Sequence, residues 1–203
     1  MILFEKVRWK NFLSTGNQFI EVNFQTDGES KFAKNSTTLI VGTNGAGKST
    51  ILDALTFSLF NKPFRKISKG QLVNTVNEKD CMVEVEFSIG PTEWKVIRSI
   101  KPNKFEIWRD GSLMDQAASA NDQQKWLEQN VLKMNYKSFT QIVILGSSTF
   151  VPFMQLSAPN RREVIEDLLD IKIFSSMNNV IKEKIRSIKE EIKVLSTMAL
   201  SIP

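Results

Sequence analysis

Histidine is absent from the 203 residues, and cysteine occurs once, at Cys81. Without histidine the chain cannot by itself assemble Ser-His-Asp catalysis or a histidine-ligated zinc centre. A lone cysteine excludes an internal disulfide framework and suits a reducing, intracellular setting. Its place in an alternating apolar stretch marks it as a core thiol. No apolar run approaches the ~20 residues that cross a bilayer, and the N-terminus lacks the layout of a signal peptide. A soluble, cytoplasmic protein that engages no membrane is expected.

What is present suffices for one domain and an appendage. Apolar residues make up 41% of the chain, and 27 basic against 22 acidic residues leave a net charge of +5. That surplus leans towards a polyanionic partner without specifying one. Ile2 to Trp9 and Phe19 to Phe24 read as strands. Thr38 to Val41 is a continuous apolar run, as expected of a central strand covered on both faces, and Ser49 to Phe60 carries apolar residues at helical spacing. Three antiparallel strands are expected at Cys81 to Ile89, Trp94 to Ile100 and Lys104 to Arg109, turned by Gly90-Pro91 and Asp110-Gly111. An amphipathic helix is predicted over Asp122 to Met134 and a buried strand over Phe139 to Leu145.

From Ser157 the pattern changes to a helix running without internal Pro or Gly to about Leu195. Ile171, Phe174, Ile181, Ile185, Ile188, Ile192 and Leu195 alternate spacings of three and four, a heptad seam with Lys/Glu-rich flanks. A seam this short, with nothing to pair against, is expected to be the ascending half of an antiparallel coiled coil. The predicted division is a globular lobe at 1–156 and a helix leading into the coil at 157–203.

The chemistry concentrates in Gly42-Thr43-Asn44-Gly45-Ala46-Gly47-Lys48-Ser49, which satisfies the phosphate-binding loop pattern of Gly, four residues, Gly-Lys-Ser. Glycines let the backbone curl so that successive N–H groups point at phosphate oxygens. The helix beginning near Lys48 adds its positive dipole end. Lys48 supplies a point charge to the β- and γ-phosphates, and the Ser49 hydroxyl a ligand to Mg²⁺. Strand, glycine loop and helix in that order make a chance match improbable, so ATP with Mg²⁺ is the expected ligand. The carboxylates of ATP hydrolysis are missing: no run of four apolar residues leads into Asp-Glu, and no Ser-Gly-Gly signature occurs. Asp167 and Asp170 read as solvated helix carboxylates. Hydrolysis by this polypeptide alone is therefore not expected. Basic clusters at Lys62, Arg65, Lys66 and Lys69 and at Lys101, Lys104 and Arg109 could follow a DNA backbone, against an ordinary reading as solvated surface. Trp9, Trp94, Trp108 and Trp126 read as packing residues.

VRWKNFLS near the N-terminus, VGTNGAGKSTILDALTFSLF around the loop and QIVILGSSTFVPFMQLSAPNRREVIEDLL before the coil resemble the N-terminal lobe of SMC-like double-strand-break repair ATPases of the SbcC type, the T-even bacteriophage branch above all. The resemblance covers roughly residues 1 to 175. It implies an α/β fold of P-loop NTPase, ABC-ATPase head type, with a mixed sheet and an antiparallel β subdomain. It also implies a homodimer through ATP-sandwiched heads that binds double-stranded DNA or DNA ends and regulates a nuclease subunit of the same complex. A structural SMC-type clamp without a nuclease is the alternative. Carried over by position, Asn44, Gly45, Ala46, Gly47, Lys48, Ser49 and Thr50 are nucleotide contacts, with Asn74 and Thr75 near the base or ribose. The family places a glutamine after the strand ending at Leu145 to reach Mg²⁺. Here Ser147 or Ser148 stands in that stretch, and Gln141 lies earlier. Leu13 follows Lys-Asn-Phe where a basic residue is common, so that loop lacks the cation the resemblance would place there.

Overall fold

The structure, a computed structural model, describes residues 2–24, 39–115, 119–144, 152–169 and 171–200. They fall in two compact units, Met1–Val151 and Pro152–Pro203.

The first unit is built on a six-stranded antiparallel sheet in the order β2-β1-β3-β4-β5-β6. Its strands are β1 (Ile2–Lys10), β2 (Ile20–Asn23), β3 (Cys81–Ile89), β4 (Thr92–Ile100), β5 (Lys104–Arg109) and β6 (Ser112–Leu113). The alternation that identified β3, β4 and β5 has a direct cause. Val83, Val85, Phe87, Val96 and Ile107 point to one face and are buried there, whereas Glu84, Glu86 and Lys95 pair across the other at 3.1 to 3.2 Å. A one-residue slip would exchange the two sets. Asp110 and Gly111 adopt φ of 48° and 78° between the paired Arg109 and Ser112. Two left-handed residues at a two-residue turn match the right-handed twist of the flanking strands.

Helix α1 (Lys48–Phe60) covers the apolar face. Ala54, Phe57 and Leu59 have no solvent exposure and Phe60 has 3%. The helix is locked to β4 by side-chain bonds: Ser58 Oγ donates to the Val96 carbonyl at 3.2 Å and Arg98 Nε to the Ser58 carbonyl at 3.0 Å. It stops at Asn61, whose φ of 58° and N–H bonded to the Phe57 carbonyl close its end. The predicted helix at 122–134 is α2 (Ala120–Trp126), continued by a π-helical turn over Leu127–Leu132. Trp9 is buried, and Trp94 packs its ring on Trp126 at 6.2 Å.

Four local expectations are corrected. Asp167, expected as a solvated carboxylate, is buried at 5% exposure, and Asp170 lies outside the described residues. Leu39, Ile40 and Val41 form no strand and are 83%, 43% and 79% exposed; Thr38 lies outside the described residues. A central parallel strand needs a neighbour on each edge, and every strand of the described sheet is antiparallel and joined to others. The strand predicted over Phe139 to Leu145 is a helix up to Ile142, α3 (Tyr136–Ile142), with Leu145 outside the described residues. The Asn135 side chain caps it by accepting from the Ser138 N–H at 2.9 Å, and burial of Phe139 outweighs the β-propensity of Ile142 and Val143. The single long helix is in fact two, α4 (Ala158–Leu168) and α5 (Lys172–Leu200). The Ile171 N–H reaches back to the Glu166 carbonyl at 3.0 Å, the wide closure that ends helices. On α5, Phe174, Ile181, Ile185, Ile188, Ile192 and Leu195 are all exposed, as are the side chains described on its other faces apart from the half-buried Ser175.

Cys81 is fully buried, and burial pushes its thiol up to about 12. Only thiolate attacks disulfide reagents. The native chain is therefore expected to resist an aromatic disulfide reagent at pH 8 and to release one equivalent of chromophore once unfolded in denaturant. Release without denaturant would contradict the packing around Cys81.

Candidate nucleotide site

The glycine loop shapes one wall of a cavity of about 550 Å³. Gly45 and Gly47 hold φ of 86° and 87°, a region where side-chain-bearing residues are strained. The curl is closed by the Ala46 N–H on the Thr43 carbonyl at 3.2 Å and the Thr50 N–H on the Gly47 carbonyl at 3.0 Å. A Cβ on Gly42 would meet that of Ala46 at 3.2 Å, a tight approach that the loop could take up only by shifting a few tenths of an ångström. Asn44, Gly45, Gly47, Lys48, Ser49 and Thr50 all line the cavity, and Ala46 does not. Lys48 folds back, its ammonium donating to the Gly42 and Thr43 carbonyls at 2.6 and 2.8 Å.

Connections elsewhere in the chain complete the lining. Leu13 and Ser14 come from the turn after β1; Arg65, Ile67, Gln71, Val73 and Thr75 come from the segment between α1 and β3. Thr75 is thus among the lining residues, whereas Asn74 is not. Leu13 also reaches the cavity, as an apolar group.

Arg65 was legible only as one member of a basic cluster. The Asp53 carboxylate, on the buried side of α1 with no exposure, accepts from Arg65 Nε at 2.6 Å, Nη2 at 2.5 Å and the Arg65 backbone N–H at 2.9 Å. A guanidinium whose Nε and Nη2 both rest on one carboxylate oxygen loses little further entropy when it meets an anion. Lys48 and Arg65 are the cations of the described lining, which contains no carboxylate. The described lining therefore presents positive charge to the cavity, from Lys48 and from an Arg65 already paired with Asp53.

The remaining candidates are not brought to this cavity. Gln141 lies in α3 with its Oε1 buried and unbonded and is not among the lining residues. Ser147 and Ser148 lie outside the described residues. Of the other basic residues, Lys104 pairs with Glu106 at 2.8 Å, Arg109 with Asp110 at 3.6 Å, and Lys62 sits over the Tyr136 ring at 5.7 Å. Among the described residues no helix is long and apolar enough to cross a membrane, and no cluster of His, Cys, Asp and Glu could hold a metal ion.

A family model described as "AAA domain" matches residues 6–199. The chain is 40% identical over 190 residues to "Exonuclease subunit 2" of Escherichia phage RB69, covering 94% of this chain and 32% of that protein. It is 26% identical over 190 residues to the "DNA double-strand break repair Rad50 ATPase" of Thermoplasma volcanium, covering 91% and 20%. Among solved structures, an Smc head domain with an extended coiled coil from Pyrococcus furiosus superposes with a TM-score of 0.60 at 20% identity, covering 98% of this chain and 49% of that one. The shared fold is thus that of an ABC-type ATPase head. The chain spans about a third of the length of the phage relative it matches.

Proposed function

The chain belongs to the AAA domain family, and from that premise we propose that it is the ATP-binding N-terminal portion of the ATPase subunit of a DNA-end-processing nuclease complex in double-strand-break repair and recombination. The observation that carries this reading is the cavity where Asn44, Gly45, Gly47, Ser49 and Thr50 meet Lys48 and Arg65, with no carboxylate among the described lining residues and Asp53 behind Arg65 as its buried partner. The donor set suits Mg-ATP: backbone amides and two cations for the phosphates, and the Ser49 hydroxyl for Mg²⁺. Bound Mg²⁺ would neutralise phosphate charge. The chain's own part is to bind and orient the triphosphate. Residues 1–156 serve as the nucleotide lobe and 157–203 as the approach to the coil.

The name of the phage relative favours a nuclease complex over a clamp with no nuclease. Two such heads closing over ATP would give a homodimer that engages double-stranded DNA or DNA ends in the cytoplasm, that of the host cell if the chain is phage-encoded. The exposed Leu39 to Val41 segment and the open seam of α5 supply apolar surface for the remainder of a protein of the relatives' length. Combined with a polypeptide supplying that remainder, the chain is expected to move from monomer to dimer mass on adding a non-hydrolysable ATP analogue with Mg²⁺, read by light scattering after gel filtration. A mass that ignores the analogue would refute the sandwiched-head reading.

A further inference from the structure

Resting on the reading of the cavity as a nucleotide site, we propose that Asn74 is a positioning residue that sets the nucleoside wall of the cavity by clasping Leu13. The Asn74 side chain is 7% exposed and uses both ends of its carboxamide. Its Oδ1 accepts from the Val76 and Asn77 N–H groups at 2.9 and 3.0 Å, a turn local to its own loop. Its Nδ2 donates across to the Leu13 and Thr15 carbonyls at 3.1 and 3.0 Å. One half of the side chain therefore shapes the loop before β3, and the other half ties that loop to the turn after β1.

Leu13 needs such a tie. Its φ is 56°, a left-handed conformation rare for a bulky residue and held only where surroundings over-determine it. The backbone joins in: Leu13 N–H donates to the Leu72 carbonyl at 2.7 Å and Asn74 N–H to the Asn11 carbonyl at 2.9 Å. Asn77 Nδ2 reaches Asn11 Oδ1 at 2.7 Å, and Asn11 Nδ2 reaches Asn17 Oδ1 at 3.1 Å. The outcome is that Leu13 and Val73, neighbours through the Phe12–Val73 bridge, present apolar groups to the cavity beside Ile67. Of the cations of the lining, Lys48 opens α1, and Arg65 comes earlier in the segment that also carries Ile67 and Val73. Apolar side chains suit the flat face of a base and offer nothing to a phosphate. Asn74 itself is not a lining residue, so its effect on the ligand passes through Leu13.

The two halves of the carboxamide can be separated. Asn74→Asp keeps the acceptor for Val76 and Asn77 but has no donor for the Leu13 and Thr15 carbonyls. Mg-ATP and Mg-tripolyphosphate, which has the phosphates and no nucleoside, would be titrated calorimetrically into the unaltered chain, Asn74→Asp, Leu13→Ala and the double variant. Circular dichroism would confirm that each is folded. Asn74→Asp is expected to weaken Mg-ATP about tenfold while tripolyphosphate affinity holds within about twofold, and the double variant is expected to bind no more weakly than the weaker single one. Equal loss for both ligands, no loss for either, or additive losses in the double variant would overturn the assignment. Failure of the unaltered chain to bind tripolyphosphate would instead sink the phosphate-loop reading beneath it.

Discussion

Lys48→Ala is expected to weaken Mg-ATP binding by about a hundredfold, about 2.7 kcal/mol, with little change in thermal stability. The ammonium currently donates to the Gly42 and Thr43 carbonyls at 2.6 and 2.8 Å. Both bonds are at the exposed surface, where water replaces a lost donor at small cost. The folded state therefore depends on them weakly. A bound triphosphate depends on them differently, because it brings several negative charges to a cavity whose described cations are Lys48 and Arg65. The curled loop with its left-handed Gly45 and Gly47 would remain, so residual affinity is expected rather than none. Isothermal titration of both proteins, paired with thermal melts, checks the two halves together. Equal affinity for Mg-ATP would remove Lys48 from the site, and a large fall in melting temperature would show that its bonds to the loop are structural.

Much of this site could be read from the residues in order, because the phosphate loop is a local object. Its glycines, lysine and serine are contiguous, and their conformation is set within eight residues. The strands β3 to β5 were equally legible, since alternation and a two-residue Asp110-Gly111 turn are local too. The contributions of Leu13, Arg65 and Val73 were not legible as a set. They are brought to the cavity by the pairing of β1 with β3 and by the Asp53 carboxylate twelve residues before Arg65, and no spacing rule announces such a meeting. The segment Phe139 to Leu145 misled for a related reason. Its β-branched residues favour extended backbone, and the deciding signal, Asn135 as a cap three residues ahead of Ser138, is a weak one beside them. Leu39 to Val41 is the reverse case. Its composition is that of a strand, but composition does not supply the neighbours that would make it one, and this chain leaves it exposed.

The Asp53–Arg65 pair should show a marked asymmetry between its two deletions. Asp53 has no solvent exposure, whereas the Arg65 side chain is 43% exposed. Arg65→Ala leaves the buried carboxylate with the backbone N–H of residue 65 as its surviving partner from this set, and an unpaired buried charge is costly. A loss of about 3 kcal/mol is expected. Asp53→Ala leaves the guanidinium instead, and a half-exposed guanidinium can turn to water, so the charge term is largely screened. Losing the three bonds then costs about 1 to 2 kcal/mol. Removing both partners strands neither, so the double variant should be more stable than Arg65→Ala alone even though it lacks more atoms. That inversion discriminates between a net attraction and a buried charge in need of cover, because a simple attractive pair would leave the double variant no better than either single one. Urea unfolding of the four proteins at pH 7 gives the comparison directly. A double variant less stable than Arg65→Ala would mean that Asp53 is held mainly by contacts other than the guanidinium, and the fixing of Arg65 at the cavity would need another cause.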